Sequence, residues 1–213
     1  MTCGAGVSPT YPYERTIEAP RLRGVENVPR KLVQYLMDLP LPGYVPPDDN
    51  AYPRCRLMKY LFWDTADPLR ELAPTTEEKL SILFDPKNAA RPPTKRGYRL
   101  YPQSYVAQSQ TDAQTRLLVY MGRTTPVNTH NIALAVHFDI LTSVSSEQTA
   151  GAAMSRVFAM EQCVIEALNG VNIDGMGTVY FNRQAHGDCG SLAVGDRGTN
   201  IGRALVMGLS WME

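Results

Sequence analysis

From Asn131 to Leu141 apolar and other positions alternate without a break. Ile132, Leu134, Val136, Phe138 and Ile140 fall on one side, Ala133, Ala135, His137 and Asp139 on the other. A period of two is that of an extended chain whose successive side chains point to opposite faces. The stretch therefore predicts a β-strand with one buried face and one small, partly polar face. Ala113 to Gly122 predicts a second strand, apolar on both faces from Leu117 to Met121 and so covered on two sides. Tyr98 to Ala107 predicts a weaker one, held to an edge by Pro102, which has no N–H to give to a ladder. Gly177 to Asn182 and Ile201 to Trp211 predict two more; the last alternates Leu205, Met207, Leu209 and Trp211 against Ala204, Val206, Gly208 and Ser210.

Between these strands the period lengthens. Met154, Val157, Phe158, Glu161, Val164, Ile165 and Leu168 recur near one helical stripe, with Glu161 the lone charge on it. A helix is expected from Ser145 to Leu168, about six turns at 3.6 residues each, stopped by Asn169-Gly170. From Gly97 onward the order is β-β-β-α-β-β, an α+β fold with an antiparallel-dominated sheet and one long helix packed on one face.

The preceding residues are built differently. Fourteen of the 16 prolines lie in the first 95 positions, so regular structure there must be short. Pro29 to Leu39 predicts a helix with Leu32, Tyr35, Leu36 and Leu39 on its apolar side, and Arg54 to Trp63 predicts another through Leu57, Tyr60 and Leu61. Thr75-Thr76-Glu77-Glu78 has the form of a capping box opening a third, with Leu80 and Leu83 expected inside and Asp85-Pro86 as the stop. The expected organisation is a proline-rich accessory arm with short helices over 1–96 and an α+β domain over 97–213.

Charge and cysteine usage narrow the chemistry. Lysine plus arginine and aspartate plus glutamate both number 21, so no global field draws the chain to nucleic acid or to an anionic membrane. No apolar run is long enough to span a bilayer, and the N-terminus is polar and rich in turn formers, which leads to the expectation of a protein that is soluble and intracellular when made. Cys3, Cys55, Cys163 and Cys189 form no C-x-x-C pair and have only His130, His137 and His186 beside them, which argues for free thiols and against a zinc site or any other cofactor.

One loop carries catalytic residue types. Phe181 to Asn200 is glycine-rich, and Gly187-Asp188-Cys189-Gly190-Ser191 resembles the turn around the nucleophile of viral chymotrypsin-like cysteine proteases. Such a turn can supply an oxyanion hole, with His137 and Asp139, two apart on one strand face, as base and orienting acid. Against this, the expected helix stands where that fold requires strands, and the proline-rich first half lacks the strands of a first barrel. The loop is then expected to be a long connection that touches another molecule, with Cys189 a bystander.

The strands TRLLVYMGR and NIALAVHFDILTS, the helix AMSRVFAMEQCVIEALNG, and the strands TVYFN and GRALVMGLSW together resemble the tail-terminator and neck (head-to-tail connector) proteins of long-tailed bacteriophages, over about 115 residues and in pattern rather than invariant motif. The resemblance implies a non-enzymatic virion protein assembled in the host cytoplasm into a homo-oligomeric ring, a hexamer. Its neighbours would be a head-side connector or stopper protein and the tail tube protein, with DNA passing through the lumen without sequence-specific binding and no membrane contact. Candidate anchors in the first half are Tyr11, Tyr13, Tyr44, Tyr52 and Trp63, aromatic side chains suited to interface pockets. Arg91, Lys95, Arg96 and Arg99 form a basic cluster that could face the DNA, and Arg183, His186 and Arg197 belong to the glycine-rich loop. A stopper or other neck component, a cysteine protease using Cys189, and a small intracellular binding domain are the alternatives.

Overall fold

The computed structural model describes residues 24–88, 97–104, 114–127, 131–143, 147, 155–173, 177–183, 187–195 and 200–212. Three short helices come first: α1 (Val28–Leu36), α2 (Pro53–Phe62) and α3 (Thr76–Ser81). Proline near the start of α1 and α2 costs nothing, because the first N–H groups of a helix have no partner within it. α1 stops before the expected Leu39, since Asp38 takes a left-handed conformation (φ 51°) and Pro40 follows. The capping box of α3 forms as its sequence predicts: the Glu78 N–H donates to Thr75 Oγ1 at 3.3 Å and the Thr75 N–H to Glu78 Oε2 at 2.8 Å. Its buried side is only partly the expected one: Leu83 packs against the core, but Leu80 is 48% exposed, and Lys79 and Ile82 turn inward.

Six strands form one mixed, mostly antiparallel sheet: β1 (Leu100–Tyr101), β2 (Arg116–Pro126), β3 (Asn131–Ser143), β4 (Thr178–Tyr180), β5 (Gly190–Gly195) and β6 (Asn200–Met212). The order is β1-β2-β3-β6-β4, and β5 also lies on β6, beside its first half. β1 is shorter than expected and runs parallel to β2. The α+β, antiparallel-dominated fold class is as the sequence predicts, with one strand more: β5 occupies the stretch expected to be pure loop. Its signal was weak because Leu192, Ala193 and Val194 are a short run between glycines.

The fourth helix, α4 (Arg156–Leu168), begins at Ser155, whose Oγ accepts from the Phe158 N–H at 3.3 Å. The expected first turns of this helix fall mainly on 144–146 and 148–154, outside the described residues. Gly170, at φ 82°, turns the chain out of the helix, and its N–H donates to Val179 O at 2.8 Å, which seats β4.

A single buried cluster joins both halves. Leu32 and Leu36 of α1, Leu57 and Leu61 of α2, and Ile82 pack with Leu117 and Val119 of β2, the 134–140 face of β3, Leu205, Met207 and Leu209 of β6, and Val164 and Leu168 of α4. Each fully buried side chain of this size contributes about 1.5–3 kcal/mol. The proline-rich segment, in its described part, is thus a helical layer sealed onto the sheet and not an arm lying free. A smaller cluster of Phe84, Tyr98, Tyr101 and Leu118 covers the first corner of the opposite face.

Two arginines close the seam. Arg156 of α4, 1% exposed, donates to the carbonyls of Trp63 at 2.8 Å and Thr65 at 2.7 Å. Arg99, expected in a solvated basic cluster, is 2% exposed and bound to Asp64 and to Leu61 O. Its charge is used inside the molecule.

Candidate functional site

The residues that could build a nucleophilic site do not meet. Gly190 pairs with Val206, and Val206 with His137, so these three share one face of the sheet. Cys189, just before β5, is 4% exposed with its Sγ 3.8 Å from Tyr180 O, and it makes no hydrogen bond to His137. His137 instead stacks on Tyr120, ring centroids 5.0 Å apart, and Asp139 accepts from the Tyr120 hydroxyl at 2.9 Å. Burial, then the bond to Asp139, pushes the Tyr120 hydroxyl pKa well up. Cys55, Cys163 and Cys189 are free and buried.

The face carrying His137 holds small side chains, Ala133 and Ala135 buried and Ala204, Val206 and Ser210 half-buried. Two glycines admit its rings. A Cβ on Gly208 would stand 2.1 Å from Tyr180 Cε2, and one on Gly122 2.2 Å from His137 Nε2. At the end of the sheet, β5 pairs only with β6 among the described residues. Leu192 is 68% exposed there, and β5 carries no charge, proline or bulge. Those are the devices by which free strand edges avoid pairing with other chains. On the helix face beside it, Glu161, 1% exposed, pairs with Arg203, whose Nη2 donates to Ser191 Oγ at 2.8 Å and whose guanidinium lies over Phe158. The lone charge on the helical stripe thus ties α4 to β6 and β5.

The helical layer carries a polar centre that the sequence did not single out. Asp38, 2% exposed, receives the Tyr44 hydroxyl at 2.8 Å and Arg54 Nη1 at 2.9 Å. The Arg54 guanidinium lies over the Tyr35 ring and close to the Tyr44 ring, with centroid distances of 4.6 and 5.8 Å. Burial and then the bond to Asp38 raise the Tyr44 pKa. These groups border a groove of about 540 Å³ that also touches Leu41 and Asn172. Of its members the sequence pointed only to Tyr44, as an interface aromatic.

Of the expected partner-binding residues, Tyr44 and Trp63 are half-buried and engaged within the chain, the Trp63 indole donating to Leu72 O at 3.0 Å. Tyr52 is 49% exposed, and Arg183 is exposed in the turn after β4. Arg99 is buried. Tyr11, Tyr13, Arg91, Lys95, Arg96, His186 and Arg197 lie outside the described residues. Of the candidates with a described position, only Tyr52 and Arg183 are exposed.

Fold and surface define an α+β protein with helices on one sheet face and, among the described residues, a strand edge at β5 that no other strand pairs. The chain belongs to the YomW family, whose model matches residues 55–190. That family name is phage-derived, and a phage-associated protein is the functional class it points to. No curated protein and no solved structure gives a significant match.

Proposed function

We propose that the chain is a structural protein of a phage particle, one subunit of a homo-oligomeric ring at the head–tail junction that ends the tail tube and meets the head connector. It acts through shape and contact, without bond-making chemistry. The observation that carries this reading is the β5 edge. A neutral, six-residue strand with an exposed Leu192 and no device against pairing is suited to a neighbouring chain, and heterologous contacts of that kind close into rings. The family supports the association with a phage.

The test is the mass of the purified chain by light scattering, alone and with isolated tails lacking their terminal ring, together with electron microscopy of the mixture. The expected result is a closed ring, about six subunits by the resemblance, that caps tails. Ala193→Pro, which removes an outward N–H or bends β5, should abolish it while leaving the circular dichroism spectrum intact. A chain that stays monomeric and never caps tails would sink the proposal.

A further inference from the structure

Lys79 is a buried amine that makes no ion pair among the described residues. It is 6% exposed, and its Nζ donates to the main-chain oxygen of Asp38 at 3.0 Å. The nearby acids are otherwise engaged. Asp38 holds Arg54 and the Tyr44 hydroxyl; Asp48 holds Lys59 at 2.9 Å and the Cys55 thiol; Glu78 caps α3 through the Thr75 N–H. A buried charge in this position is costly unless something of opposite sign approaches it.

The structure leaves room for that approach. Lys79, Asp38 and Cys55 line a cavity of about 150 Å³. Met58, Pro46, Pro47, Ala73 and Pro74 give it apolar walls, and it reaches the surface beside Pro40 and Thr76, both exposed. That volume matches cavities that hold one small organic molecule of about six heavy atoms. We propose that this cavity binds a monocarboxylate, its oxygens on the Lys79 ammonium and its short apolar remainder against the prolines.

Charge and donor number select this ligand class. One uncompensated ammonium balances one negative charge, whereas a phosphate dianion would bring a second charge and more oxygens than the site has free donors. Pro46, Pro47 and Pro74 have no N–H to offer it. Desolvation pushes the Lys79 pKa down, and a bound carboxylate would draw it back up. The site is independent of ring formation: the groups that build it all belong to α2, α3 and the segments beside them.

The probes are sodium acetate, sodium propionate and sodium phosphate on the full chain in chloride-free buffer at neutral pH, read by thermal unfolding. Acetate or propionate should raise the melting temperature saturably, by about 5–10 °C at a hundredfold excess over the dissociation constant. Lys79→Met should remove the rise. So should Ala73→Leu, which fills the cavity and keeps the ammonium, and serves where the first variant folds poorly. Tetra-alanine with a free C-terminus, set against its C-terminal amide, separates the two sources of a carboxylate. If only the free acid stabilises, the natural ligand is a peptide terminus; if acetate and propionate act and tetra-alanine does not, it is a small free acid. The proposal is overturned if none of the carboxylates gives a saturable rise, if Lys79→Met keeps it, or if phosphate stabilises more than acetate.

Discussion

Arg99 holds Asp64 through two parallel hydrogen bonds, Nη1 to Oδ1 at 2.8 Å and Nη2 to Oδ2 at 2.5 Å. The fork also reaches Leu61 O at 2.9 Å, so one side chain from the start of the sheet satisfies both the acid and a carbonyl at the end of α2. Arg99→Met should destabilise the protein by about 3 kcal/mol, because it leaves that carbonyl without a donor and the acid without a partner. Arg99→Lys should recover only part of this, since an ammonium cannot make the paired contact. Urea unfolding curves measure both. A loss under about 0.5 kcal/mol for Arg99→Met, the size of an ordinary surface change, would show the pair to be ornamental.

Gly208 and Tyr180 make a second pair that mutation can read. The ring lies where a side chain at 208 would be. Gly208→Ala should cost about 1–3 kcal/mol from overpacking. Combined with Tyr180→Ala, the loss should be smaller than the sum of the two singles, because the obstructing ring is gone. Additive losses would mean that the ring moves aside freely.

Lys79 gives a pH signature. Its folded pKa is depressed by burial, below the roughly 10.4 expected of the unfolded chain. Below the folded pKa both states are protonated and folding bears the whole cost of the buried charge. Between the two values only the unfolded state holds the proton, so stability rises with pH, and above both the cost is gone. Without carboxylate present, Lys79→Met should exceed the native protein in stability by about 1–3 kcal/mol where the lysine is charged. That gap should narrow as pH climbs toward 10.4. Parallel denaturation series for the two proteins cancel other titrating groups, and a pH-independent gap would contradict the reading.

Cys163 should resist labelling. It is 1% exposed, and burial pushes its thiol up to about 12, so very little thiolate exists at pH values where the fold is intact. With a thiol reagent at pH 8, mass spectrometry of digests should find Cys163 modified slowly in the native protein and fast in urea. Cys55, also raised by burial, should follow it. Fast native labelling of Cys163 would reveal an opening motion far below global unfolding.

What the sequence made legible was what local pattern governs. The alternation at 132–140 became the centre of the sheet, the capping box at Thr75 formed, and Glu161, out of place on an apolar stripe, proved to have Arg203 opposite it. What it hid depends on distant partners. Arg99 looked like part of a surface cluster because nothing nearby announces Asp64, and Lys79 was passed over because its neighbours Leu80 and Leu83 are the better apolar residues. The attachment of the helical layer was hidden for the same reason: its prolines speak of short elements, and say nothing of the arginines that bind those elements to the rest.

Those arginines set a timetable for synthesis. The last turn of α2 leaves carbonyls that its own chain does not cover, and they are met by Arg99, 38 residues beyond Leu61, and by Arg156, 96 residues beyond Tyr60. A nascent chain at 5–20 residues per second, a typical rate, would hold α2 with a bare end for about 5–20 seconds before α4 leaves the ribosome. Until β2 and β3 have followed, the apolar sides of α1 and α2 have no sheet to cover. The first half of this protein is therefore the part most exposed to chaperones and proteases, and a chain cut short before Arg156 should be cleared rather than stored.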